Sequence, residues 1–371
     1  MGGYGVELND IIIDILPLSL LILILYKMKP VKPLRALDST EYLSVDTTKS
    51  YRGLFALVVI FHHLSRLTES GVIFHKFTLV GYLAVAYFFF LSGYGLQKSY
   101  ISKGESYTKG FLLKRLPSVI LPYLIIIFAF WLMYFVSGRV FSLKDIGLTF
   151  IGGKPFVAYS WYILCIIIFY IVYWLLMLIC KKRYFPMILG AAAWYVLYCA
   201  VCIKLDYGSW WYNTALLPVI GMFWATYEKK LVDFIKKSYF IITPVIIVSF
   251  AALFVSYNRI MELVKIPAVS SVLKLPTAVL FVLGVILLSM KFSIGNKVLG
   301  FLGEISLEMY ISQGLIFNIL RGKFIYIKNE LLFCAASIVG IIAFSVVFRF
   351  ACKFVLKKYR ILLDKKILKV N

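Results

Sequence analysis

The chain has 371 residues, is 62% hydrophobic and only 15% charged, and has a mean hydropathy of +0.91. A soluble domain carries about 45–50% apolar and about 25% charged residues, so lipid must solvate much of this chain. Disorder, a collagen-like fibre and a disulfide-stapled secreted domain are excluded on the same figures. The 40 Lys and Arg against 17 Asp and Glu leave a net charge of +23. In a membrane protein that surplus first reports where the cytoplasmic loops are, so nucleic acid is not an expected partner.

A hydrocarbon core about 30 Å thick takes about 20 apolar residues of helix. Eleven segments meet that length: 9–27, 51–68, 77–97, 118–137, 160–180, 186–203, 210–227, 238–256, 268–289, 299–320 and 331–352. The leader before the first has no basic n-region and carries Glu7 and Asp10 instead, so this segment is expected to stay as a helix rather than be removed as a signal peptide. The longest connections, 28–50 and 138–159, are too short for a soluble domain, and no internal repeat is evident. The expected fold is an all-α integral membrane protein, a polytopic bundle of about eleven transmembrane helices.

Loop charges set the orientation. One alternate set of loops, together with the tail 353–369, holds 27 Lys and Arg, and the other set holds 11. The asymmetry predicts an outside N-terminus and a cytoplasmic C-terminus, which an odd number of spans satisfies. The basic loops also suit an anionic cytosolic ligand or lipid head groups. The six cysteines, Cys165, Cys180, Cys199, Cys202, Cys334 and Cys352, fall in or beside apolar runs. They read as small buried hydrophobes, and no metal is expected, although Cys199 and Cys202 form a lone C-x-x-C.

Polar groups within spans are costly and mark function. The second span holds Arg52, His62, His63 and Arg66. Eleven helical residues advance about three turns plus about 20° and rise about 16.5 Å. Arg52 and His63 therefore share a face, with the cation at the cytosolic mouth and a titratable base further in, while His62 turns away. This stripe suits a ligand with an anionic cytosolic end and a reactive inner end. A snorkelling arginine beside a histidine satisfied by its neighbours is the plainer reading.

Here the chain resembles a family. Arg-x10-His at the start of a span is similar to the signature of the acyltransferase-3 family of bacterial integral-membrane O-acyltransferases. Four further segments match in order: Phe88 to Tyr94, with Ser92 and Gly93; Lys114-Arg115 leading to Pro122-Tyr123; Ser160-Trp161-Tyr162; and Leu302-Gly303-Glu304 through Ser306, Glu308 and Tyr310 to Gln313. The matches span about residues 51–313. Gln313 stands where the family usually has histidine, so a second imidazole is absent there. The family's cytosolic Arg-x-x-Arg survives only as Arg115 followed by Ser118, with Lys114 adjacent; phosphate contacts are then weaker or borrowed from Lys98, Lys103 or Lys109.

The resemblance implies transfer of an acyl group, most often acetyl, from a cytosolic acyl-CoA to a hydroxyl of an exported or cell-surface glycan. It implies a bacterial cytoplasmic membrane location and a ten-helix core over 51–371, with 1–50 adding a helix and a basic loop. Acyl-CoA is expected to meet Arg52, Lys114 and Arg115, with Ser92 and Gly93 lining a narrow channel. His63 then serves as general base or acyl-accepting nucleophile. Glu308 orients the imidazole, sharing a face with Glu304 at i, i+4, unless it merely pairs with Lys274 or Arg349. Trp161 and Gln313 are candidates for the acceptor, and Trp210 and Trp211 for interfacial anchoring. Asp14 has no evident partner in sequence. A transporter or flippase without transferase chemistry is the main alternative and predicts helix-broken half-repeats; a scaffold role and a lipid-directed acyltransferase are further readings. The oligomeric state is not readable.

Overall fold

The structure, a computed structural model, describes residues 12–31, 41–151, 157–264 and 267–368. Thirteen α-helices are described: α1 (Ile15–Leu25), α2 (Val45–Leu64), α3 (Gly81–Lys103), α4 (Phe111–Arg115), α5 (Pro117–Val136), α6 (Leu143–Ile151), α7 (Trp161–Cys180), α8 (Tyr184–Lys204), α9 (Leu217–Val264), α10 (Pro267–Lys291), α11 (Lys297–Glu304), α12 (Ser306–Leu320) and α13 (Glu330–Leu368). Two strands of two residues each, β1 (Lys29–Pro30) and β2 (Phe292–Ser293), pair antiparallel. The chain is an all-α integral membrane protein. Among the described residues, α5, α7, α8, α9, α10 and α13 contain stretches long and apolar enough to cross a membrane.

Each predicted span coincides with helix, with three differences that matter for the site. Helix α2 starts at Val45 because Ser44 caps it, accepting from the Thr47 amide at 3.2 Å, and Asp46 sits in the positive first turn. The predicted seventh and eighth spans form one helix, α9, bent at Ser238 (φ −122°, ψ 19°), and 210–216 lies outside it. The tenth span is broken at Ile305 (φ −103°, ψ 12°) into α11 and α12. Residues 9–11 of the first predicted span lie outside the described residues.

Packing divides the chain into two compact units. The first comprises 1–106 and 176–304, the second 107–175 and 305–371. In the first, α3 packs on α9 and α10, and α2 packs on α11 and α3. In the second, α12 packs on α13 and α5, and nearly all of α12 from Ser306 to Phe317 is buried. These units follow packing, whereas the 1–50 and 51–371 division follows a sequence resemblance.

Two glycines show how closely the first unit is drawn together. A methyl group on Gly53 of α2 would strike the Leu299 carbonyl of α11, and one on Gly303 of α11 would strike the Lys49 carbonyl. The two helices thus touch backbone to backbone, one residue from Arg52. The tip of this crossing carries an ion pair, Lys49 to Glu304 at 3.2 Å, both partly exposed.

Candidate functional site

Helix α2 runs unbroken from Val45 to Leu64, so the regular-helix geometry that joins Arg52 to His63 holds. With the helix starting six residues earlier than expected, Arg52 lies about 10 Å along its axis and His63 about 27 Å along it, in the last turn. Arg52 is therefore two turns inside the helix rather than at its mouth. Both side chains are half-buried.

The neighbouring histidine is occupied. His62 Nδ1 lies 3.0 Å from the Phe77 carbonyl oxygen. A carbonyl only accepts, so Nδ1 carries the proton and donates. The ring also fills the space beside Gly81, where any methyl group would collide with it. His62 thus ties the end of α2 to the loop that leads into α3. His63 stands edge-on to His62, ring centroids 4.8 Å apart.

The loop before that contact explains Asp14. Its carboxylate accepts from the backbone amides of Ile73 and Phe74 at 2.8–3.1 Å, at the start of the short 3₁₀ turn Phe74–Leu79. The residue left without a role in sequence is a cap for a segment about 60 positions away.

The Ser92-Gly93-Tyr94 segment of α3 does three separate things. Ser92 donates back to the Phe88 carbonyl at 3.0 Å. Gly93 meets the Pro218 carbonyl of α9, and Gly221 of α9 in turn meets the Phe90 carbonyl. The absence of a side chain at Gly93 permits this close helix–helix contact. Tyr94 donates to Glu228 Oε1 at 2.9 Å.

Glu228 is the hub that sequence reasoning missed. Its side chain is 7% exposed. Oε1 also accepts from Tyr42 at 2.6 Å, and Oε2 pairs with Lys98 Nζ at 2.6 Å. Trp224 Nε1 donates to the Tyr42 hydroxyl at 2.8 Å. Burial first and the adjacent carboxylate second push the Tyr42 hydroxyl far above the usual tyrosine range, so it stays a donor. Lys98, considered as a lender of charge to phosphate, is thus committed to a carboxylate. In sequence Glu228 precedes two lysines and reads as a solvated helix end.

In the second unit Arg115 donates through Nε and Nη2 to the Tyr107 hydroxyl at 3.1 and 2.8 Å and lies over its ring. Lys114 beside it is exposed. Glu308, 4% exposed, accepts from Arg349 Nη1 through both oxygens, at 3.1 and 3.4 Å. Glu304 ends α11 and Glu308 lies in the first turn of α12, beyond the break at Ile305. Gln313 is fully buried; its amide Nε2 donates to the Tyr310 carbonyl at 2.9 Å, and among the described residues nothing donates to its Oε1. Trp161 opens α7, half-buried, next to Tyr162, whose ring lies 5.1 Å from that of Tyr310. Trp210 is exposed and Trp211 is buried.

Arg52, His63, Ser92 and Gly93 therefore belong to the first unit, and Lys114, Arg115, Trp161, Glu308 and Gln313 to the second. Residues 50–350 match the family model described as an acyltransferase domain. No curated protein and no solved structure matches the chain.

Proposed function

Because the chain belongs to the acyltransferase-3 family, an acyltransferase activity in the membrane is its premise, and we propose that it moves an acetyl group from cytosolic acetyl-CoA to a hydroxyl of an exported or cell-surface glycan. The observation that carries this reading is the pairing of Arg52 and His63 on one face of the unbroken helix α2, with His62 engaged elsewhere. In this reading Arg52 meets the anionic end of the donor. A guanidinium suits phosphate because its planar fork donates two parallel hydrogen bonds.

His63 takes the proton of the acceptor hydroxyl as that oxygen attacks the thioester carbonyl. The carbon–sulfur bond breaks, and the coenzyme A thiolate leaves and is protonated. Glu308, held by Arg349, is assigned a fixed-charge role with that arginine rather than the orientation of the imidazole.

The test is transfer of labelled acetyl from acetyl-CoA to a panel of bacterial glycans by the purified full-length protein. Arg52→Ala is expected to lose donor affinity severely, and Arg52→Lys to recover it only in part. Unchanged donor affinity in Arg52→Ala, or no transfer to any glycan, overturns the reading.

A further inference from the structure

One cation in the first unit lies against two tyrosine rings. Lys274, eight residues into α10, is half-buried. Its ammonium lies 5.7 Å from the ring centroid of Tyr82 and 5.3 Å from that of Tyr257. The two rings are 6.4 Å apart. Among the described residues no carboxylate pairs with Lys274. An ammonium brings three donors, and ring faces balance part of its charge without accepting an ordinary hydrogen bond. A charge within helices left in this condition is costly and calls for a partner.

Its neighbours are those of the candidate base. Tyr82 follows Gly81, the residue against which the His62 ring packs. Lys274 lies within Coulombic reach of His62, and His62 touches His63. The cluster joins the end of α2, the start of α3, the later part of α9 and the early part of α10. On the orientation implied by the loop charges, all four are extracytoplasmic. Tyrosine faces stack on sugar rings, and an ammonium beside them recognises a carboxylate or phosphate on the same molecule.

We propose that Lys274, with the faces of Tyr82 and Tyr257, forms a subsite for an anionic saccharide, so that the acceptor is an acidic glycan rather than a neutral one. The proposal rests on the acyl-transfer reading for its purpose, but its test is binding, which needs no turnover. Full-length protein in nanodiscs of zwitterionic lipid is titrated with a hexuronate oligosaccharide, a size-matched neutral hexose oligosaccharide, and a hexose phosphate. Binding is read by calorimetry, with coenzyme A as a control ligand.

Wild type is expected to bind the acidic saccharides about 10- to 100-fold tighter than the neutral one, the range of one charge-assisted contact of about 1.5–3 kcal/mol. Lys274→Met should abolish that preference, Lys274→Arg should keep most of it, and coenzyme A binding should be unchanged in both. The carboxylate and phosphate arms decide which anion is preferred. Wild type without a preference, or Lys274→Met retaining it, overturns the proposal. So does a Lys274-dependent change seen only when anionic lipid is added to the nanodisc, because that marks a head-group site. Absence of transfer in wild type with the binding preference intact overturns the acyl-transfer reading and leaves the subsite standing.

Discussion

Adjacent histidines on one helix should respond oppositely to the same truncation. His62→Ala removes the hydrogen bond from Nδ1 to the Phe77 carbonyl, about 0.5–1.5 kcal/mol for a neutral bond. It also removes the ring that packs against Gly81. Full truncation of a buried aromatic costs about 3–5 kcal/mol, but His62 is only half-buried, so the combined loss should be about 2 kcal/mol. That loss is structural: thermal unfolding in detergent falls by a few degrees, and transfer per folded molecule changes less than about threefold. His63→Ala deletes the proposed general base, and the expected fall in transfer is about 10²–10⁴-fold, or about 2.7–5.4 kcal/mol of barrier. Its unfolding temperature and coenzyme A binding should stay close to wild type. The assay is acetyl transfer by each variant at matched folded concentration, beside the unfolding curve. A dead His62→Ala beside an active His63→Ala refutes the face assignment, and so do equal, severe losses in two well-folded variants.

Gly93→Ala puts a methyl group onto the Pro218 carbonyl, which cannot yield as a side chain would, and should cost about 1–3 kcal/mol in thermal stability; Gly95→Ala on the same helix meets open space and should be neutral, and equal effects would contradict the crossing. Glu228→Ala strands two hydroxyls and Lys98; buried pairs lose about 3–5 kcal/mol when one partner goes, but Lys98 is 41% exposed, so about 2–3 kcal/mol is expected. Glu228→Gln keeps an acceptor for Tyr42 and Tyr94 and should lose less, and the two unfolding curves test that order. Helix α6 opens with a capping box in which Asp145 accepts from the Ser142 amide and hydroxyl while Ser142 accepts from the Asp145 amide. Those hydrogen bonds from Ser142 hold the Asp145 carboxyl below its usual range. Its contribution is therefore present above the ordinary carboxylate pKa and is lost as pH falls through the depressed value. Hydrogen exchange over 142–151 should accelerate below about pH 4, and a pH-independent rate there, after correction for intrinsic exchange, would contradict the cap.

Hydropathy summed over a window decided the class of this protein, because the bilayer selects helices by length and local apolarity alone. Helix periodicity likewise fixed the shared face of Arg52 and His63, a relation internal to one regular element. The ordered motifs marked the family for the same reason: each is a short run read in place. Boundaries were less legible. The early start of α2 depended on the Ser44 cap, and the break at Ile305 is not marked by proline. Partners were mostly not legible, although Arg349 stood among the cations open to Glu308 in sequence. Asp14 caps a turn near residue 74, Glu228 collects Tyr42, Tyr94 and Lys98, and Glu308 takes Arg349. Gly93 serves a crossing with Pro218. A charge or a missing side chain shows only that something must lie close. Which group lies close depends on which helices pack side by side, and that adjacency arises from contacts between residues far apart in the chain.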